Sequence, residues 1–223
     1  DQRHTQRTET AIAVDYAQMA ARYGLKVTLF VTGRAILADG KDAKRLSTLD
    51  NVEIGGHGWD ALRPRWWHRM LSFLTGSPHG PARMQRRMIQ RTCATIEAHT
   101  GHPVRSWRNH AYRHDPHTPY LLSEAGVTVW SDLVGPKAAT PVVHPSGVLT
   151  LPINTLPDHE HLYHGSRTPA LVAKEGRGPS YTPEAWSDIV CEQVDAVVED
   201  GGIATILAHP ICMDVVDHFV TFE

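Results

Sequence analysis

What this chain has little of narrows its class. It holds 3 cysteines, Cys93, Cys191 and Cys212, far apart in sequence and without a CxxC pair. An odd, unpatterned set argues against a disulfide framework and against a cysteine zinc site. It points to a reducing compartment, so the expected location is cytoplasmic. No apolar run approaches the ~18 residues that cross a bilayer, so no membrane span is expected. The first ten residues are polar and include Arg3, His4 and Arg7, unlike the apolar core of a secretory signal. Basic blocks are absent as well: Lys plus Arg number 22 against 24 Asp plus Glu, a net charge of −2. That balance leaves no electrostatic footprint for nucleic acid. There is no internal repeat and no low-complexity tract.

What is abundant is apolar surface and histidine. With 223 residues and 41% hydrophobic content, the chain can bury about 70% of its unfolded surface. One domain spanning 1–223 is expected. The 15 histidines are read mostly as half-exposed surface residues, with a minority left to do chemistry.

Periodicity gives alternating elements. Ile12, Tyr16, Met19, Ala20 and Tyr23 recur at helical spacing, closed by Gly24. Leu25–Val31 reads as a buried strand, and Asn51–Ile54 as another that runs into Gly55-Gly56-His57. Residues 61–81, with Trp66, Trp67, Phe73 and Leu74, read as a long excursion packed on the domain and rimming a pocket. Met84, Met88, Ile89, Cys93 and Ile96 mark a helix that ends near Gly101. Strands follow at 104–107, 127–130, 148–153 and 203–208, with helices at 118–125 and 183–199. Alternation of this kind predicts parallel βα units, hence an α/β fold with its site outside the strand carboxyl ends. Trp59, Trp66, Trp67 and Trp107 read mostly as core, the three cysteines likewise, and Arg83, Arg86, Arg87 and Arg91 as a solvated basic face.

Four strand ends carry reactive side chains. His57 follows the second strand; Arg108, Asn109, His110, Tyr112 and Arg113 follow the third. Asn154, Asp158, His159, Glu160 and His161 follow the strand at 148–153, and His209 follows the last. Neutral imidazole and carboxylate bind a divalent ion such as zinc, which lowers the pKa of bound water to about 7. A further histidine can protonate a leaving amine. The combination suits a metal-assisted hydrolase.

The motifs in this order resemble the NodB-type polysaccharide deacetylases, the fourth carbohydrate esterase family. Val27–Gly33 (VTLFVTG) resembles the family's ATFFVTG strand, and Val52–Trp59 (VEIGGHGW) resembles HEIGNHTW. Trp107–Thr118 (WRNHAYRHDPHT) resembles the arginine motif FRPPYG with its downstream threonine. Leu151–His159 falls where the fourth motif lies, and Ile206–Pro210 (ILAHP) resembles LLHD. The resemblance implies a distorted (β/α) barrel with a metal at the strand carboxyl ends. It gives His57 the place of the first metal histidine and His209 that of the histidine protonating the leaving amine. Arg108 takes the place of the arginine that orients the catalytic carboxylate, and Arg113 matches an arginine of the lipid-A-modifying branch. His110, Tyr112, Arg113, Asp158 and His159 are the expected substrate-binding residues.

Two departures matter. The family's second metal histidine falls on Ala61, so a replacement ligand is expected from His161, His159 or His110, with His161 preferred. His159 and His161 would share a face if extended. The family also opens with a strand ending in an Asp pair, yet nothing apolar precedes Asp1. That strand is therefore expected to be missing from this sequence or to lie upstream, with Asp1 as base and metal ligand. The activity implied is removal of an N-acetyl or similar acyl group from an amino sugar or glycan, using a divalent ion, expected to be zinc. Ala61 keeps open a metal-independent hydrolase of cyclic amides or ureides, and the absent Asp residues keep open a catalytically degenerate glycan-binding domain.

Overall fold

Branched and aromatic residues dominate Val27–Val31, and this stretch forms β1. The computed structural model describes residues 4–135, 140–175 and 178–223. They divide into a sheet unit, Ala20–Leu133 with Pro141–Leu151, and a terminal unit, Asp1–Met19 with Val134–Thr140 and Pro152–Glu223. Helix α1, Glu9–Arg22, precedes β1, and the chain turns between them at Gly24, whose φ is +69°.

In the sheet unit β1 pairs in parallel with β2, Val52–Gly56, from Val27↔Val52 to Val31↔Gly56. β3 (Ser106–Trp107), β4 (Val129–Trp130), β5 (Val142–Val143) and β6 (Leu149–Thr150) complete the sheet, in the order β1-β2-β3-β4-β6-β5. All pairs are parallel except β5–β6, which are antiparallel. Parallel neighbours need crossovers. These are α2 (Gly33–Ala38) and α3 (Gly40–Leu46), then α4 (Arg65–Thr75) and α5 (Ala82–Thr100), then α6 (Thr118–Glu124). Thr32 caps α2, its Oγ1 accepting the Ala35 N–H at 3.2 Å. Along α5, Gln85, Ile89, Thr92, Ile96 and Thr100 form one buried stripe, and the helix packs on α2, α3, α6 and β2. The α/β class with a parallel sheet is as the sequence predicts.

β2 ends in a glycine pair because its neighbour leaves no room. A Cβ at Gly56 would overlap the Trp107 ring, and one at Gly55 would fall 2.6 Å from Ser106 Oγ and 2.8 Å from the Phe30 ring. Trp107 is fully buried and donates its Nε1–H to Asn109 Oδ1 at 3.0 Å. The glycines thus let β3 lie close to β2 and set the path into His57.

Four readings change here. The excursion at 61–81 contains helix α4, on which Leu71 is buried while Trp66, Phe73 and Leu74 face solvent. Arg91 is not simply solvated: its guanidinium lies 3.4 Å over the Trp59 ring. Arg86 grips Glu124 at 2.8 and 3.1 Å. Of the cysteines only Cys212 is buried; Cys93 is half-buried and Cys191 exposed.

The terminal unit holds α7 (Asp158–His161), α8 (Pro169–Glu175), α9 (Pro183–Glu199) and α10 (Pro210–Asp217), then a 3-10 turn at Val220–Phe222. Helix α9 buries Trp186, Val190 and Val197. Tyr16 packs against Phe219 and Phe222, with ring centroids 6.0 and 5.1 Å away. The strand expected at 203–208 does not form. Its backbone is claimed by side chains instead: Asn154 Nδ2 donates to the Ile203 carbonyl at 2.9 Å, and Asn154 Oδ1 accepts the Thr205 N–H at 2.8 Å. Thr155 Oγ1 donates to the Thr205 carbonyl at 2.9 Å. Ile203 and Ile206, which made the run look like core, are 55% and 48% exposed. Among the described residues no helix is long and apolar enough to cross a membrane.

The glycine–tryptophan packing has a direct test. Gly56→Ala should overpack the β2–β3 contact and cost about 1–3 kcal/mol. The urea midpoint should fall with an unchanged m-value; an unchanged midpoint would show that Trp107 can move aside freely.

Candidate active site

Three strand ends of the sheet unit present the first group of side chains. His57 follows β2, and its Nδ1 lies 2.7 Å from the Arg108 carbonyl oxygen. A carbonyl only accepts, so Nδ1 carries the proton and Nε2 keeps its lone pair. His110 Nδ1 lies 3.4 Å from that Nε2, with the rings edge to face at 5.4 Å. His110 sits in a 3-10 turn, His110–Tyr112, where Ala111 and Tyr112 adopt φ values of 53° and 56°. Two adjacent non-glycine residues in the left-handed region store strain at the loop that carries the imidazole.

Arg108 donates Nε–H to the Ser131 carbonyl at 2.9 Å and Nη2–H to Ser131 Oγ at 2.7 Å, and lies 4.5 Å over the Phe30 ring. Burial pulls its pKa down to about 10, with Tyr112 and Asp132 opposing. It remains a cation at neutral pH, but two of its donors serve Ser131 rather than a carboxylate. Tyr112 is half-buried, and Arg113 is exposed, its carbonyl taking the His79 Nε2–H at 2.7 Å.

Asp132 escaped the sequence reading. It is 3% exposed and receives the Asn109 N–H and the Asn109 Nδ2–H, both at 2.6 Å. His114 Nδ1 stands 3.6 Å away. Burial raises the Asp132 pKa despite the hydrogen bonds from Asn109. The signal was present: Asp132 lies two residues beyond β4, another strand carboxyl end.

The terminal unit presents the second group. Asp158, the first residue of α7, is fully buried. Its Oδ1 accepts from His209 Nδ1 at 2.7 Å and from the His159 N–H at 2.7 Å, and its Oδ2 accepts the His209 N–H at 2.6 Å. Burial alone would push this carboxyl up; the facing His209 and these hydrogen bonds outweigh it and hold the pKa below the ordinary value. Asp158, expected to bind substrate, is thus fully buried and engaged by His209 and His159. Nor are His159 and His161 on an extended face. They lie on helix α7, where His159 meets His164, His209 and Cys212, with the rings of His164 and His209 at 5.4 and 5.1 Å. His161 turns instead to the Pro179 carbonyl, 2.9 Å from Nδ1.

The divalent ion implied by the resemblance can be tested on donor chemistry. Two nitrogens about 2.05 Å from a tetrahedral ion stand about 3.3 Å apart. His57 Nε2 and His110 Nδ1 are 3.4 Å apart, and the carbonyl behind His57 is the kind of partner that fixes a ligating tautomer. These two imidazoles fit a metal. Ala61 offers no side-chain donor, His161 in the terminal unit rests on the Pro179 carbonyl, and Asp1 lies outside the described residues. In the terminal unit His159, His209 and Cys212 offer ligand atoms within 4.8 Å of one another.

Comparison with known proteins follows the same line. The family model described as polysaccharide deacetylase matches residues 9–130, more than half of the chain. A crystal structure provisionally assigned as a polysaccharide deacetylase from Mycobacterium smegmatis is similar at TM-score 0.74 and 19% identity, over 96% of this chain and 69% of that one. A protein from Pseudomonas aeruginosa PAO1 given as a probable polysaccharide deacetylase is similar at TM-score 0.68 and 15% identity, over 97% of this chain and 64% of that one. Puue allantoinase is similar at TM-score 0.70 and 13% identity, over 97% and 64%. The chain thus spans about two thirds of the length of these proteins. No curated protein sequence matches it. At these identities the likeness shows the fold, the distorted (β/α) barrel type expected from the motifs.

The buried His79 yields a pH test. Burial lowers its pKa below 6.5, outweighing the hydrogen bond to the Arg113 carbonyl. The unfolded chain then binds a proton that the folded chain refuses, so stability falls as pH drops below about 6.5. Urea midpoints at pH 7.5 and pH 5.5 should differ less in His79→Gln than in the wild type; equal differences would remove His79 as a source of acid sensitivity.

Proposed function

The chain belongs to the polysaccharide deacetylase family, and from that premise we propose a metal-dependent hydrolase that removes an N-acetyl or similar acyl group from an amino sugar or glycan. The observation that carries this reading is the grip of buried Asp158 on His209. The carboxylate holds the Nδ1–H and stabilises the imidazolium. His209 in that state donates a proton from Nε2 to the departing amine. Asp158 is thereby a positioning residue.

His57 and His110 would hold the divalent ion, which supplies Lewis acidity at the acyl oxygen and lowers the pKa of water. The Arg108 carbonyl keeps the His57 lone pair on Nε2, and the Arg108 cation, anchored on Ser131, fixes the exit of β3, which carries His110. Tyr112 and Arg113 of the sheet unit and His159 of the terminal unit are carried as substrate-binding residues on the resemblance alone. Asp1 is carried as the base on the resemblance alone.

A second reading rests on Ala61, which removes one imidazole from the family's metal set. The fold is shared with an allantoinase, and a cyclic amide or ureide hydrolase that needs no metal would tolerate Ala61.

His209→Ala and Asp158→Asn should each lower acetate release from an N-acetylglucosamine oligomer by about 10²–10⁴-fold, with the far-UV circular dichroism unchanged. Unaltered release would take the proton-donor role from His209. His57→Ala should lose bound metal by elemental analysis, and retained stoichiometric metal would remove it as a ligand. Full activity after chelation would favour the second reading.

A further inference from the structure

The proposed reaction leaves Cys212 unused, although this thiol sits beside the histidine that acts as acid. Three features of the fold bring it there. Asp158 holds the Nδ1 side of the His209 ring, which fixes the ring beside Cys212 and His159. Cys212 lies in the first turn of α10, just beyond His209-Pro210, and is 1% exposed. His159, from α7, brings Nδ1 to 3.5 Å from Cys212 Sγ. About 3.5 Å is also the nitrogen–sulfur edge of a tetrahedral zinc ion with bonds near 2.05 and 2.3 Å. The ligand atoms of all three residues lie within 4.8 Å of one another, so a small side-chain rotation closes the set. His159 is exposed and the His209 side chain is 42% accessible, which gives an ion a way in to the buried sulfur.

We propose that His159, His209 and Cys212 form a second metal site, selective for a thiophilic ion such as zinc or cadmium, and that filling it withdraws His209 from proton transfer. The inhibitory half rests on the function proposed above; the binding half does not. Two imidazoles and a thiolate favour zinc-like ions over magnesium or calcium, which take oxygen donors. Binding forms the metal–sulfur bond and releases the thiol proton to solvent, with no change of oxidation state. An imidazole nitrogen bound to a metal has no lone pair with which to accept and pass a proton, so occupancy and acid catalysis exclude each other. The His57–His110 pair differs in kind, since it offers nitrogen only.

The test uses the full chain, stripped of metal and titrated with cobalt(II). The wild type should develop the near-ultraviolet absorption of thiolate-to-cobalt charge transfer. Cys212→Ser and Cys212→Ala should both lack it, while Cys93 and Cys191 remain as internal controls. The two variants differ in polarity, so misfolding of one leaves the other to decide. A wild type without the band, or a band retained in the folded variant, overturns the site. In turnover of an N-acetylglucosamine oligomer, zinc beyond the activating amount should inhibit the wild type at least 10-fold more strongly than the variant. A band accompanied by equal inhibition overturns the inhibitory half. Absence of turnover in every form would instead sink the proposed function, with the cobalt titration still decisive for the site.

Discussion

A carboxylate taken out of water must have its lone pairs filled, and leaving them empty costs several kcal/mol. Each unit is organised around one such group. In the terminal unit Asp158 draws in the His209 ring, the His209 N–H and the His159 N–H. In doing so it ties the start of α7 to the start of α10. In the sheet unit Asp132 draws in both the main-chain and side-chain N–H of Asn109, and so ties the exit of β4 to the exit of β3. The loops that carry chemistry are therefore held by the burial cost of a carboxyl group, not by regular secondary structure.

The two carboxyl groups differ in what faces them, and their proton affinities separate accordingly. Asp158 faces an imidazole that can carry charge, and its pKa falls. Asp132 takes the amide hydrogens of Asn109, with the His114 imidazole farther off at 3.6 Å, and burial prevails, so its pKa rises. One fold thereby shifts the proton affinities of two buried carboxyl groups in opposite directions. The Gly55-Gly56 pair serves the same end by a steric route. It lets Trp107 lie flat against β2, which brings the Arg108 carbonyl to the His57 ring.

Legibility followed how local each determinant was. Helix α9 was readable to its ends because Thr182-Pro183 starts it and apolar residues recur along one side. Helix α5 and its terminal Gly101 were readable for the same reason. The run at 203–208 misled because apolar, branched residues look alike whether a ladder or side chains satisfy their backbone. Only the fold reveals that Asn154 and Thr155 perform that task. Helix α10 was missed although Pro210 at its first position is a start signal, because His209-Pro210 was read as the end of a strand. At the site, the positions of His57 and His209 could be read from motif order. The partners that decide their behaviour, a carbonyl in one case and a buried carboxylate in the other, could not.

That difference in partner divides the histidines more sharply than their position does. His57 is backed by a neutral carbonyl oxygen, which fixes its tautomer and orients the ring. His209 is backed by a buried carboxylate, which grips both its ring and its backbone N–H. His161 and His164 also rest on carbonyls, of Pro179 and Leu162. A carbonyl contact is therefore common in this chain and by itself marks no ligand. His57 has, besides its carbonyl partner, a second imidazole nitrogen, His110 Nδ1, 3.4 Å from its Nε2. The loop after β3 thus sets an imidazole beside the one that follows β2, while Ala61 carries none.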